Sequence, residues 1–400
     1  MTALPSERAR TLPYSGIREI FDLASTLEDV VHLEIGEPDF PTPQHIVEAS
    51  FQAAREGMTH YTSSAGVPAL RTRIASGLAQ ELGVPFGADE IVVTAGGMEA
   101  LLLAMLVTLN PGDEVIVPSP AWPNYEAHIL LSGGVMKRLR LEESRGFQLD
   151  PASVQRAVSP KTRAVILNSP HNPTGAVVEE KGLREIAGIA RTRDLIVFSD
   201  EAYATLTYDD LRFRSIASLE GMNERTVIIR TFSKTHAMTG WRVGFLAAPQ
   251  VLAEKAAKFH EHTSACTSSV SQAAALASFD VPKSTTEAMV REYERRRDVL
   301  ADGLSRIPGL RVRKPGGAFY LLVAVDAYGV PALDLAKQLL IEEGVAVAPG
   351  TAFGPEGEGY FRLCYANSAE NLREAVARMT AFFARLAPSG RGPGAAAEAS

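Results

Sequence analysis

Cysteine is scarce in this chain: two in 400 residues, Cys266 and Cys364. Two thiols cannot build a disulfide framework or, by themselves, a zinc site, and they fit a reducing compartment. A basic excess is also missing. Lys plus Arg number 40 against 47 Asp plus Glu, a formal net charge of −7. That balance argues against a general nucleic-acid binder and against a basic membrane-surface protein. Long apolar runs are absent too. The longest, Ala100 to Leu109, falls far short of a bilayer span, and the opening Met-Thr-Ala-Leu-Pro-Ser-Glu-Arg has no apolar signal region. The expectation is a soluble, cytoplasmic protein with neither nucleic-acid nor membrane partners. With 46% hydrophobic and 22% charged residues the composition is that of an ordered globular chain. Its length exceeds one compact core, so two or three packed units are expected.

Within the polar first 30 residues, Ile17, Ile20, Phe21 and Ala24 have helical spacing, and a Gly/Pro loop follows at Gly36–Pro43. From about residue 46, helices alternate with short apolar strands. The strands read from sequence are Ile91–Thr94, Glu114–Val117, Ala164–Leu167, Leu195–Phe198, Thr226–Ile229 and Val243–Ala247. Several are apolar throughout, as strands buried on both faces are, which predicts an α/β unit with a mostly parallel sheet. Arg291–Leu304 reads as a long charged helix leaving that sheet, with Glu292, Glu294, Arg295, Arg296 and Arg297 as a solvated face. Val312, Ala318–Val325 and Val345–Val347 read as strands of a smaller unit, closed by a helix near Leu372–Leu386. The division expected is an N-terminal segment 1–45 joining the small domain, a large domain 46–285, a small domain 286–387 and a disordered tail 388–400.

Ligands of an open α/β sheet bind beyond the carboxyl ends of its strands, and polar residues gather there. One strand runs into Asn168-Ser169-Pro170-His171-Asn172-Pro173-Thr174-Gly175, another into Ser199-Asp200-Glu201-Ala202-Tyr203, a third into Arg230-Thr231-Phe232-Ser233-Lys234. The first runs into Ala95-Gly96-Gly97-Met98, which opens an apolar helix. Free backbone N–H groups and the helix dipole make that turn a candidate anion cradle, although such turns are more often tight corners. It is neither a Walker A loop nor a dinucleotide fingerprint. A lone lysine is usually solvated, but Lys234 follows a buried strand and is flanked by Thr231 and Ser233. A desolvated lysine loses basicity and becomes a nucleophile towards carbonyls, forming a Schiff base. The other residues have plainer readings: Asp200 as a turn or cap, Tyr203 and Trp122 as packing, Asn172 as a turn residue before Pro173. The histidines, His128, His260 and His262 among them, lack metal-ligand spacing.

The run Ser233-Lys234-Thr235-His236-Ala237-Met238-Thr239-Gly240-Trp241-Arg242-Val243-Gly244 resembles the lysine signature of class I, fold-type-I pyridoxal-phosphate aminotransferases. Asn168–Gly175, Ser199–Tyr203 and Gly36-Glu37-Pro38-Asp39-Phe40 resemble further motifs of the family, in its order and spacing, from about residue 14 to 386. The branch it resembles is the prokaryotic, I-gamma-like one of the aspartate aminotransferase superfamily. One departure is Thr231, where the family more often has Ser or Gly; the hydroxyl is kept.

The resemblance implies a large domain with a seven-stranded, mostly parallel sheet, a small α/β domain, and pyridoxal 5′-phosphate as cofactor. Lys234 would hold the cofactor and shuttle a proton, Asp200 would face its ring nitrogen, and Tyr203 and Asn172 would bond its phenolic oxygen. Trp122 would stack on the ring. Thr231, Ser233, Arg242 and the N–H groups of Gly97 and Met98 would take the phosphate. Tyr61 would reach the phosphate of a neighbouring subunit, which implies a homodimer with shared active sites. Arg362 would grip the substrate carboxylate, which Gly36 and Asn172 would also approach. The activity implied is ping-pong transfer of an amino group from an L-amino acid to a 2-oxo acid. Aspartate-preferring relatives carry a lysine where this chain has Met98, so apolar, aromatic or small donors are expected over aspartate. The same motifs serve non-transaminating synthases, β- or γ-eliminating lyases and oxidases, which remain an alternative.

Overall fold

The computed structural model describes residues 5–12, 16–386 and 388. The tail expected at 388–400 therefore lies, apart from Pro388, outside the described residues.

The strands Thr162–Asn168 and Ile196–Asp200 are buried from Ala164 and Val197 onward, because helices cover both faces of the sheet that they centre. That sheet has seven strands in the order Ile91–Thr94, Gly244–Ala247, Thr226–Thr231, Ile196–Asp200, Thr162–Asn168, Glu114–Ser119 and Val135–Arg140. Gly244–Ala247 runs antiparallel to both its neighbours, and the other pairings are parallel. Register matters for the chemistry. Asn168 lies opposite Asp200 and Asp200 opposite Ile229, so the polar strand ends share one edge. Strands predicted from apolar runs alone stop short, since Asn168, Asp200 and Thr231 still belong to them. No apolar run announces Val135–Arg140. It is an edge strand carrying Lys137, Arg138 and Arg140, charges that discourage further pairing.

A four-stranded antiparallel sheet, ordered Ala348–Pro349, Tyr360–Cys364, Tyr320–Ala324 and Arg311–Val312, lies towards the C-terminus. Val31–His32 pairs in parallel with Val345–Ala346, and Ile20 and Leu33 share a core with Leu300, Phe319, Leu339 and Phe382. N-terminal and C-terminal segments thus bury apolar surface together.

The charge run on the helix Lys283–Leu304 is a solvated face only in part: Arg295 is exposed, but two of its residues are buried. Arg296 and Arg297 are 7% and 2% exposed. Helical spacing places them with Tyr293 and Leu300 on the packed side. Each guanidinium is paired there, Arg297 with Asp209 at 2.6 and 2.9 Å and Arg296 with Asp39 at 2.7 Å. Among the described residues no helix is long and apolar enough to cross a membrane, and no group of three His, Cys, Asp or Glu could hold a metal.

Candidate active site

The strand ends converge on a cavity of about 350 Å³. Gly36, Gly97, Met98, Trp122, Asn172, Asp200, Tyr203, Thr231, Ser233, Lys234, Arg242 and Arg362 all line it, though they are scattered over more than 300 positions of sequence. Tyr61 does not line it; that side chain is 89% exposed.

Lys234 sits in the single-turn helix Phe232–Thr235, whose start is capped by Thr231 accepting from the Ser233 N–H at 3.2 Å. Its Nζ donates to the Gly36 carbonyl at 2.7 Å. Burial, the largest influence, lowers its pKa to about 8, helped by the nearby Arg362 and Arg242 and opposed by Cys364 and Glu37. No carboxylate forms an ion pair with it among the described residues. At neutral pH a usable fraction is the free amine.

Asp200, the last residue of its strand, accepts from the Tyr125 hydroxyl at 2.6 Å and from the Ala202 N–H at 3.2 Å. Burial outweighs these bonds and pushes its pKa up to about 6. The next residue, Glu201, points away and pairs with Arg230 at 2.8 and 2.9 Å, as alternation along a strand requires. The Asn168 amide donates to the Asp200 carbonyl at 3.0 Å and accepts from the Asn172 N–H at 2.8 Å, holding the Asn172 side chain at the cavity. Asn172 Oδ1 is buried without a partner. The Tyr203 hydroxyl lies 2.8 Å from that of Tyr320.

One wall gathers donors. Gly96, at φ +84°, turns the chain into the helix Gly97–Thr108. Arg242 lies alongside, its Nη2 donating to the Ala95 carbonyl at 3.3 Å. The hydroxyls of Thr231 and Ser233 are 2.9 Å apart on the same side. Gly244 is obligatory here, since a Cβ would fall 2.7 Å from the Gly97 nitrogen. On the other wall Arg362 is buried, donates to the Glu34 carbonyl, and packs on Tyr320 and Phe353 at 4.5 and 5.0 Å. Its Nε has no partner.

Sequence reasoning assigned no role to Tyr125 or Tyr320. Tyr125 stands two residues beyond the proline bracket around Trp122, and nothing local reveals that it reaches Asp200. Tyr320 lies in a strand read only as apolar, yet a Cβ on Gly36 would meet its hydroxyl at 2.0 Å.

A buried amine, a buried carboxylate and a wall of anion donors around one cavity define a site for a phosphate-bearing carbonyl compound. The comparisons agree. The family model for aminotransferase class I and II matches residues 28–379. The aspartate aminotransferase of Pyrococcus abyssi is 42% identical over 94% of this chain and 97% of its own length. An aromatic-amino-acid aminotransferase of Thermococcus litoralis is 40% identical, with the same coverage. The solved structure of the Thermus thermophilus aspartate aminotransferase with maleate superposes with a TM-score of 0.91 at 36% identity, covering 95% of this chain and 100% of that one. The chain belongs to the class I and II aminotransferases, enzymes of fold type I that use pyridoxal phosphate.

Proposed function

We propose that this aminotransferase moves the amino group of an L-amino acid to a 2-oxo acid by two ping-pong half-reactions, with apolar, aromatic or small donors preferred to aspartate. The observation that carries the reading is the pairing of unsatisfied groups in one cavity: Lys234 without a carboxylate partner, and Asp200 held by a hydroxyl and an amide.

The residues fit pyridoxal phosphate on structural grounds. Asn172 Oδ1 and Arg362 Nε are buried with bonds still to make, and Gly97, Met98 and Arg242 line the cavity together where the helix Gly97–Thr108 begins. When bound, pyridoxal phosphate supplies a carbonyl for the amino group and an electron sink for the bond at Cα.

Lys234 Nζ would hold that carbonyl carbon and then take and return the Cα proton. Asp200 would keep a proton on the ring nitrogen, and Tyr125 would hold the carboxylate in place. Asn172 and Tyr203 would donate to the phenolic oxygen, while Trp122 would cover the ring and exclude water. Arg242, Thr231, Ser233 and the N–H groups of Gly97 and Met98 would grip the phosphate. Arg362, with Gly36 and Asn172, would orient the substrate carboxylate through a planar fork. Tyr61, exposed in one chain, would complete the partner's site in a homodimer. Met98 on the cavity wall offers no cation to a second carboxylate.

On the same footing, 46–285 would form the large cofactor-binding domain and 286–387 the small domain, with 1–45 joining it, as the shared core of Ile20 and Leu33 with Leu339 supports. Two free cysteines accord with a cytoplasmic setting.

The test is a half-reaction screen: purified holoenzyme with single L-amino acids and no oxo acid, followed by absorbance. Conversion of the bound pyridoxal form to the pyridoxamine form, slower with aspartate than with phenylalanine or alanine, is expected. Ammonia release without that conversion would move the chain to the non-transaminating enzymes, and aspartate as the fastest donor would reject the preference.

A further inference from the structure

His260 is a fully buried histidine for which the chemistry at Lys234 has no use. It stands on the helix Gln250–Thr263 and faces Glu99, in the first turn of the helix Gly97–Thr108. Its Nδ1 lies 2.6 Å from the Ser64 carbonyl, and its Nε2 lies 3.3 Å from Glu99 Oε2. A carbonyl only accepts, so Nδ1 carries a hydrogen. Glu99 Oε2 accepts from the Ala95 N–H at 2.6 Å, and Oε1 accepts from the Ser264 hydroxyl. Both oxygens act as acceptors, which is the ionised form of the acid. A bare Nε2 would set its lone pair against that carboxylate. The geometry therefore puts the second proton on Nε2 and makes the pair imidazolium and carboxylate. Burial opposes both charges, but the contacts just described overcome it: the Glu99 pKa falls to about 2, and that of His260 rises.

The other titratable groups of the packed elements are turned elsewhere. The strand Ile91–Thr94 has none, and the helix Gly97–Thr108 has only Glu99. In the turn Ala88–Glu90, Glu90 accepts from the Gly87 N–H at 2.7 Å and the charge of Asp89 bears on Arg71. Glu254, Lys255, Lys258, Glu261 and His262, on the same helix as His260, are exposed.

The pair reaches the anion wall through Ala95. Glu99 holds the Ala95 N–H, and the Ala95 carbonyl accepts from Arg242 at 3.3 Å. Gly96, Gly97 and Met98 follow directly. The first N–H groups of a helix have no intrahelical partner and can take an anion. An uncompensated carboxylate at Glu99, one residue beyond Met98, would repel that anion.

We propose that His260 is a positioning residue for the cofactor's phosphate: it holds the Glu99 carboxylate on the Ala95 N–H and cancels its charge beside Gly97, Met98 and Arg242. The inference rests on the aminotransferase reading and adds to it two residues that do not line the cavity.

The experiment titrates the cofactor-free full chain with pyridoxal phosphate and, separately, with pyridoxal, which has the same carbonyl and no phosphate. Reaction with Lys234 is followed by absorbance. In His260→Gln the Kd for pyridoxal phosphate should rise about tenfold, as for loss of a charge-assisted contact, while that for pyridoxal stays within about twofold. Adding Glu99→Gln removes the second charge and keeps an acceptor for the Ala95 N–H. That double variant should recover to within about threefold of wild type, a coupling that a residue serving only to pack would not show. His260 contributes its charge below its raised pKa and loses it above. In wild type the preference for pyridoxal phosphate over pyridoxal should therefore fall between about pH 7 and 9, where the phosphate stays a dianion, and it should stay flat in the double variant.

An unchanged Kd in His260→Gln, equal losses for both compounds, a double variant no better than the single one, or a wild-type preference indifferent to pH would overturn the proposal and leave the aminotransferase reading intact. If His260→Gln does not fold, the double variant and the wild-type pH profile decide. Failure of both compounds to react with the wild-type chain would overturn the aminotransferase reading itself, and this inference with it.

Discussion

Arg230 and Lys234 stand four residues apart, both largely withdrawn from water, and they are treated in opposite ways. Arg230 forms two-pronged contacts with two carboxylates, Glu81 at 2.7 Å and Glu201 at 2.8 and 2.9 Å. Burial opposes its charge, but those carboxylates overcome it and raise its pKa. Lys234 has one carbonyl and no carboxylate, and burial lowers its pKa to about 8. The acids repeat the contrast one residue apart. Glu201 pairs with Arg230, while Asp200 is left with a hydroxyl and an amide and is pushed up to about 6. The pleat of one strand sends these neighbours to opposite sides. Glu201 and Arg230 neutralise each other, whereas neither Lys234 nor Asp200 forms an ion pair among the described residues. Unsatisfied burial, rather than burial alone, is what marks the functional side.

The contrast is broken most severely at the lysine. Lys234→Met should lower turnover by at least about 10²–10⁴-fold, the loss typical of a missing positioned proton carrier. Because the amine is buried against its own pKa, the cofactor-free variant should unfold at a higher temperature than wild type near pH 7, which calorimetry reads. A lower midpoint would mean that Lys234 serves structure as well. On the paired side the expected sign reverses. Glu201→Ala leaves Arg230 with Glu81 alone and should cost about 3–5 kcal/mol in denaturant unfolding, the range for breaking a buried pair. A cost below about 1 kcal/mol would show that Glu81 suffices.

The mildest test uses pH. Capture of a carbonyl compound by the cofactor-free protein needs the free amine, so its rate should rise with pH around a midpoint of about 8. Between pH 7 and 9 the gain should be about tenfold. Stopped-flow absorbance would follow it. A midpoint near the ordinary lysine value would show that the amine is solvated and not poised.

Much of this was legible in the chain. The apolar runs at Ile91–Thr94, Ala164–Leu167 and Thr226–Ile229 announce buried strands because both faces of that sheet are covered. The polar residues that follow them line one cavity, since parallel strands deliver their ends to one edge. Val135–Arg140 was illegible because an edge strand needs no continuous apolar run. Arg296 and Arg297 misled for a related reason. Composition marks a charged residue as exposed, and their partners Asp39 and Asp209 lie 257 and 88 positions away.

What the sequence by itself determined is the chemistry available: an amine after one strand, a carboxylate at the end of another, donors at a glycine turn. These are local consequences of residue type and strand position. Only the tertiary structure decided which charges are neutralised and which are left poised. It placed Tyr125 on Asp200 and Glu81 on Arg230. The reason is physical. The state of a buried charge depends on every group that surrounds it, and those groups come from distant parts of the chain.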